Sequence, residues 1–256
     1  MPSKRTTGLS TEQFAELCKR VSDAIGPWNP PAGRPRALSL GKAVKATVMY
    51  FKNNITQEVI GELLEVSQPT VSRVIAELEP VIADVLAEYV PDLPEELTGR
   101  VVLVDGTLAP CWSWADAPEL RSGKHHTTGH NHQVVADLDG RLLHVGDPLP
   151  GRTHDTRAVR DTGLLATLDP ANTIADKGYL GTGILTPIRK PPGAELLEWQ
   201  KTFNTQVNSL RAVVERVIAN LKTWRIVHTD YRRPRTTYPM AFNTIRALHF
   251  FKLRFE

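Results

Sequence analysis

Cysteine is nearly absent from the 256-residue chain: Cys18 and Cys111 are the only two. So far apart in sequence, they suggest neither a disulfide framework nor a zinc cage. No run approaches the ~18 apolar residues of a membrane span. The opening stretch "MPSKRTTGLS" has no apolar core behind its basic residues, so no signal peptide is expected. Also missing are a Gly-rich loop of phosphate-cradling form and a Ser/His/Asp arrangement. What is present, 41% apolar and 23% charged residues, is the make-up of a soluble globular protein. The length suits one large domain, or a catalytic domain with a small companion. A cytoplasmic location with no membrane partner is expected.

A large charge of one sign is missing too, since the net charge is only +3. Its distribution is uneven. From Arg211 to Glu256, ten Lys or Arg stand against three acids, Glu215, Asp230 and Glu256, a local excess of +7. Such an end suits a polyanion. A solvated basic helix and tail would look the same.

Along the chain, "LSTEQFAELCKRVSDAI" reads as a helix opened by Ser10 with Gln13 three residues later, a capping-box pattern. Residues 26–37, "GPWNPPAGRPRA", are too rich in Pro and Gly for regular structure. They form a linker, or an arm whose Arg34 and Arg36 touch DNA. Residues 40–91 read as helical throughout, with Leu40, Val44, Thr47, Val48 and Phe51 sharing one face of the first helix. "ITQEVIGELLEVSQPTVSRVIAELEPVI" then has the form of a helix-turn-helix: a short helix over Thr56–Leu64, a tight turn, and a second helix from about Ser67. Val59 and Leu63 are expected to pack against Val71, Val74 and Ile75. Gln68, Thr70, Ser72 and Arg73 are left exposed near the start of the second helix, and Pro69 is tolerated in its first turn. Small polar side chains and an arginine there suit entry into a DNA major groove. Any three-helix bundle could share the pattern.

After the acidic break "VPDLPEELTGR" the pattern changes. "VVLVD" (101–105) is a buried-type strand, and "HQVVADLDGRLLHVGD" reads as a hairpin turning at Asp139-Gly140. "HDTRAVRDTGLLATL" is a helix, "NTIAD" (172–176) a further strand, and "FNTQVNSLRAVVERVIANLKTWRIV" a long final helix running into a basic tail. This is an α/β order. It puts Asp105 and Asp176 each at a strand end. If the two strands are parallel neighbours, both carboxylates emerge at one sheet edge. Asp176, in "TIADKGYLGTG", is cheaply explained as a turn residue; company from other carboxylates would make it a metal ligand. A glutamate from a helix beside that edge would complete such a cluster. Glu215 lies in the long helix, and at ~100° per residue it shares a face with Arg211 and Lys222. Val213, Val214, Val217, Leu221 and Trp224 take the opposite half as a core stripe. On its own, the Arg211–Glu215 pair reads equally as an exposed i,i+4 salt bridge.

Four blocks, "VVLVDGT", "DGRLLHVGDPLPGRTHDTRAV", "IADKGYLG" and "LRAVVERVIANLKTW", together resemble the transposases of bacterial insertion sequences in the Harbinger-like group. The resemblance covers roughly residues 40–250. It implies a ribonuclease H-like mixed sheet flanked by helices, preceded by an all-α helix-turn-helix region. It also implies a metal-dependent three-carboxylate (DDE) site that cleaves and transfers DNA strands. The family's first aspartate corresponds to Asp105, and its Arg-x3-Glu-x6-Lys pattern is matched by Arg211, Glu215 and Lys222. The tyrosine that related families place three residues before that arginine is here Asn208. Asp155 and Asp176 both stand in blocks typical of the family. Topology favours Asp176 as the second ligand. Asp155, placed as a helix cap would be, is assigned a supporting role or that of alternative ligand.

The implied cofactor is Mg²⁺, two ions, with Mn²⁺ as a substitute, because paired ions ~4 Å apart can serve both the attacking and departing oxygens of a phosphodiester. Lys177, Arg211 and Lys222 become candidates for holding phosphates. Implied partners are the terminal inverted repeats and target DNA, with a homo-oligomer on paired ends, at the bacterial nucleoid. Expected boundaries are 1–36 for the first helix and linker, 37–95 for the helix-turn-helix region, and 96–256 for the catalytic domain with its basic tail. His126 and His130 have zinc-like spacing, but the surrounding glycines and threonines disfavour a helix that would present them together. "WSWAD" (112–116) is core or site wall, or offers Trp112 or Trp114 to stack on an extruded base. Two rivals share these features: a transposase-derived DNA-binding regulator without catalysis, and a nuclease that hydrolyses without strand transfer.

Overall fold

The computed structural model describes residues 4–255. It divides into two compact units: the residues up to Val90 together with those from Lys222 onward, and Pro91–Leu221.

The first unit is helical. After the short α1 (Lys4–Thr7), α2 (Thr11–Ile25) opens on the expected capping box. The Gln13 N–H donates to Ser10 Oγ at 3.2 Å and the Ser10 N–H to Gln13 Oε1 at 2.9 Å. In α3 (Leu40–Asn53), Val44, Thr47, Val48 and Phe51 are buried, as the helical spacing requires. The helix-turn-helix consists of α4 (Gln57–Leu64) behind its N-cap Thr56 and α5 (Gln68–Val85) behind Ser67. Gly61 sets the turn: a Cβ there would lie 2.6 Å from the Val66 carbonyl oxygen. That close approach fixes which side of α4 faces inward, and it is not the expected one. Ile60 and Gly61 are buried, whereas Val59 and Leu63 are 42% and 64% exposed. Val71, Val74 and Ile75 of α5 do face the core.

Residues 26–37 are pinned rather than loose. Trp28 Nε1 donates to the Leu38 carbonyl at 2.7 Å. The Arg36 guanidinium lies 3.9 Å from the Trp28 ring centroid and makes two hydrogen bonds to Glu77 of α5, at 2.6 and 2.8 Å. Arg34 stays exposed.

The chain's basic end also departs from expectation. Residues 238–254 form a helix, α10 (Tyr238–Arg254), that buries Tyr238, Phe242, Ile245, Leu248 and Phe251 and packs on α5. Arg233 just before it donates to both oxygens of buried Glu79, at 2.9 and 2.8 Å. Burial pushes the Glu79 carboxyl above its usual value, against the pull of Arg233. Part of the local +7 is thus spent inside the helical unit, because these cations sit among apolar residues with enough periodicity to fold.

The second unit begins with α6 (Leu93–Leu97) and is built on a mixed five-stranded sheet. Its strands are β1 (Val102–Pro110), β2 (Gly129–Asp137), β3 (Leu142–Val145), β4 (Leu149–Pro150) and β5 (Thr173–Ala175). The order is β3-β2-β1-β5, with β4 paired to β2. β2 and β3 form the predicted hairpin, turning where Gly140 takes φ 84°. β1 and β5 are parallel neighbours, Val102 opposite Thr173 and Val104 opposite Ala175. The region predicted as one helix after residue 154 is two, α7 (Asp155–Asp161) and α8 (Leu164–Thr167), parted by Gly163 at φ 73°. The long α9 (Glu198–Leu221) packs along β1 and β2 through Val207, Val214, Val217 and Leu221. Val102, Val104, Val135, Leu143, Val159 and Tyr179 form the core between sheet and helices. A mixed α/β sheet with a helical region ahead of it is the architecture expected.

A carboxylate cluster at the edge of β5

β1 continues to Pro110, so Asp105 lies mid-strand and not at a strand end as the run "VVLVD" suggests. Apolar β pairing with β2 carries the strand onward, while β5 stops at Ala175. The next position in this register sets Asp105, still within β1, beside Asp176, where the chain leaves β5. Asp176 opens a single helical turn whose Gly178 N–H donates to Asp176 Oδ1 at 2.7 Å. It is thus a turn residue, and its second oxygen, Oδ2, lies 3.9 Å from Lys124 Nζ.

Asp155 joins them. It is the first residue of α7, with His154 as N-cap, and its carboxylate accepts from Lys124 Nζ at 3.2 Å. It is buried toward β1: a Cβ on Gly106 would fall 2.3 Å from Asp155 Oδ1. A Cβ on Gly178 would lie 2.8 Å from both Asp155 Oδ2 and Asp176 Oδ1, so those oxygens are at most twice that distance apart. The two glycines clear the space in which the carboxylates meet. Thr156 Oγ1, donating to the Gly178 carbonyl, ties the start of α7 to the turn after β5. Beneath, the Tyr179 hydroxyl donates to Gln133 Oε1 at 2.6 Å and Asn131 Nδ2 to the Thr153 carbonyl at 2.9 Å, bracing the segment that leads into Asp155. The Tyr179 hydroxyl is pushed well above its ordinary pKa, first by burial and then by the three aspartates.

Two cations answer this charge. Arg211 Nη2 of α9 donates to Asp105 Oδ2 at 3.3 Å, while the Gly106 N–H donates to Asp105 Oδ1 at 2.8 Å. Burial still dominates, with Asp176 adding repulsion, and raises the Asp105 carboxyl to about 6. Lys124, from the loop between β1 and β2, places Nζ 3.2 Å from Asp155 Oδ2 and 3.9 Å from Asp176 Oδ2. A cavity of about 50 Å³ opens beside it, its lining including Thr107, Ser122, His125, Arg152 and Asp155. The sequence reading did not single out Lys124; its only signal was a lysine in a glycine- and histidine-rich loop.

Other expected site residues lie as follows. Glu215, one turn beyond Arg211, is exposed, and among the described residues no hydrogen bond or ion pair joins it to the aspartates. Lys177 is exposed beside Asp176. Lys222 follows the end of α9 and is half-buried, desolvation lowering its ammonium pKa. In the helix-turn-helix, Arg73 is exposed, whereas Gln68, Thr70 and Ser72 are half-buried. Gln68 Nε2 donates to Gln57 Oε1 at 2.7 Å, and Thr70 Oγ1 lies 3.0 Å from Ser67 Oγ. His126 lies in a loop at φ 53° and His130 in β2, so no helix presents them together. Trp112 is 52% exposed on the loop after β1, and Trp114 is half-buried.

The donor set fits a hard divalent ion. Carboxylate oxygens are its preferred ligands, and the missing side chains at Gly106 and Gly178 let the aspartate oxygens approach. Among the described residues no group of three or more His, Cys, Asp or Glu is placed to hold a metal ion. An ion such as Mg²⁺, which keeps several waters and borrows oxygens from a phosphate substrate, does not require one. No described helix is long and apolar enough to cross a membrane.

The chain is similar to known proteins along most of its length. A 229-residue stretch is 34% identical to a protein of Streptomyces albus G named as a transposase for insertion sequence element IS112, covering 86% of this chain and 83% of that protein. A second relative, from Microchaete diplosiphon and named as a transposase for insertion sequence element IS702, is 26% identical over 98% of this chain and 94% of its own. Residues 36–88 match the helix-turn-helix of DDE superfamily endonuclease. Residues 104–249, from the β1 strand that carries Asp105 to α10, match the family DDE superfamily endonuclease, and the chain belongs to that family.

Proposed function

We propose that this chain is a DNA transposase. Its helical unit binds the terminal inverted repeats of an insertion sequence, and its sheet unit cleaves the ends and joins them to target DNA. The observation that carries the reading is the placement of Asp105 on β1 and Asp176 just past the end of its parallel neighbour β5, with Arg211 of α9 already on Asp105. Asp105, Asp176 and Glu215 are the proposed ligands of two Mg²⁺ ions, with Mn²⁺ as substitute. Bound there, the ions supply activation of the attacking oxygen and stabilisation of the departing one. The chain's own groups position the reactants. Glu215 lies one turn beyond Arg211 on α9, the helix whose Arg211 already reaches Asp105. Arg211, Lys177 and Lys222 hold backbone phosphates, orienting the scissile phosphorus for in-line attack. Gln68, Thr70, Ser72 and Arg73 face DNA from the start of α5, and a homo-oligomer brings two ends together.

Asp155 has a specific claim as well, since its carboxylate lies near that of Asp176 and the two share Lys124. The deciding experiment is Mg²⁺- or Mn²⁺-dependent cleavage of DNA carrying the element's ends. Asp105→Asn, Asp176→Asn and Glu215→Gln should each lose cleavage by a factor on the order of 10³ or more. Asp155→Asn should lose less. If Asp155→Asn alone is dead, Asp155 replaces Asp176 as ligand. End binding by folded wild type without cutting in either metal would reassign the chain as a regulator, and cutting without strand-transfer products as a nuclease.

A further inference from the structure

The geometry points to Lys124 as the resident cation of the carboxylate cluster, competing with a divalent ion for the same aspartate oxygens. This rests on the proposed metal site and adds a residue to it. Lys124 Nζ is within hydrogen-bonding distance of Asp155 Oδ2 and 3.9 Å from Asp176 Oδ2, the two carboxylates that Gly178 allows to meet. The acceptors are well enclosed, with side chains 10% and 23% exposed, while the Lys124 side chain is 56% exposed. The fixed half of the arrangement is therefore the acid half. Its base supports this division: the loop is closed by the Ser122 N–H donating to the Thr127 carbonyl at 2.9 Å and by a bridge between Arg121 and Thr128, with exposed Gly123 next to the lysine.

A divalent ion binds carboxylate oxygen at about 2.0–2.1 Å with twice the charge of an ammonium. Both cannot occupy the gap between Asp155 and Asp176. With its lysine half exposed, the pair holds the ammonium weakly, so the lysine yields readily. The cavity that Lys124 itself lines gives the displaced side chain room. Without metal, Lys124 relieves repulsion among the aspartates; with metal, its departure lowers the affinity that bare carboxylates would show.

The test is Mn²⁺ titration of the full chain without DNA, by calorimetry and by electron paramagnetic resonance, alongside thermal melting. Lys124→Met should bind Mn²⁺ about threefold to tenfold more tightly than wild type, melt lower without metal, and gain more on saturation. Lys124→Arg, which keeps the charge, should stay near wild type. Lys177→Met removes the same charge one residue from Asp176 without a bonded carboxylate, and should shift affinity less than about twofold. Folded Lys124→Met that binds Mn²⁺ no more tightly than wild type overturns the inference. So does an equal gain in Lys177→Met. Wild type whose Mn²⁺ affinity is untouched by both Asp176→Asn and Asp155→Asn would instead sink the metal reading itself.

Discussion

Asp155 and Gly106 show how much a single side chain, or the lack of one, decides here. The 2.3 Å separation between a Cβ at 106 and Asp155 Oδ1 is shorter than any real contact, so Gly106→Ala must push Asp155 away from the site. We expect a stability cost of about 1–3 kcal/mol, typical of overpacking. Divalent-metal binding should change as well, read by urea melts and Mn²⁺ titration of the same protein. A second residue-scale effect concerns pH. Trp224 Nε1 donates to Nδ1 of buried His249 at 3.1 Å, and burial lowers that imidazole to about 3. The folded value lies below the ordinary 6.5, so the unfolded chain takes up the proton first. His249 thus contributes stability that is complete above about 6.5 and is lost as pH falls toward 3. The loss is at most about 1.4 kcal/mol per pH unit across that window. In His249→Phe the acid side of a stability-versus-pH curve should be shallower, while the curve above pH 7 keeps its slope.

Elements act through their orientation. The turn of the helix-turn-helix depends on Gly61 lying against the Val66 carbonyl, a backbone atom that cannot swing aside. Gly61→Ala should cost roughly 1–3 kcal/mol and weaken binding to the element's ends, measured by fluorescence anisotropy. A variant that keeps full stability would show that the turn opens freely. Arg73 is the exposed cation on the first turns of α5. In Arg73→Ala, affinity should fall and the slope of log affinity against log salt should become shallower by about one, the mark of a lost phosphate contact. A change confined to one base position, at unchanged slope, would make Arg73 a base reader instead.

At the scale of the whole molecule, the last 35 residues belong with the first 90, and a helix-turn-helix of residues 37–95 is not a self-sufficient piece. Trp224, Tyr238, Phe242, Ile245 and Phe251 complete the helical core, and Arg233 neutralises Glu79 within it. A fragment of residues 37–95 should therefore lack a cooperative unfolding transition by circular dichroism. A fragment joining residues 4–90 to 222–255 should show one. Removal of Arg233 alone, leaving Glu79 buried and unpaired, should cost the full chain about 3–5 kcal/mol.

What was legible in the sequence was local. An apolar run marked β1, a turn dipeptide the β2–β3 hairpin, and helical spacing α3 and α9; cap chemistry placed Ser10. The α/β order brought Asp105 and Asp176 together only on condition that their strands are parallel neighbours, and the pairing of β1 with β5 meets it. Local signals mislead where a distant group intervenes. β1 outran its apolar stretch because β2 pairs with it as far as Pro110. α4 turned Val59 outward because Gly61 meets Val66. The basic tail became α10 because α5 offered it an apolar face. The sequence by itself determined which residue types were available for chemistry and on which elements they ride. Only the tertiary structure decided that Asp155 lies near Asp176, and that Lys124 stands between them. Charges separated by decades of residues meet only where the backbone, cleared by Gly106 and Gly178, lets them approach.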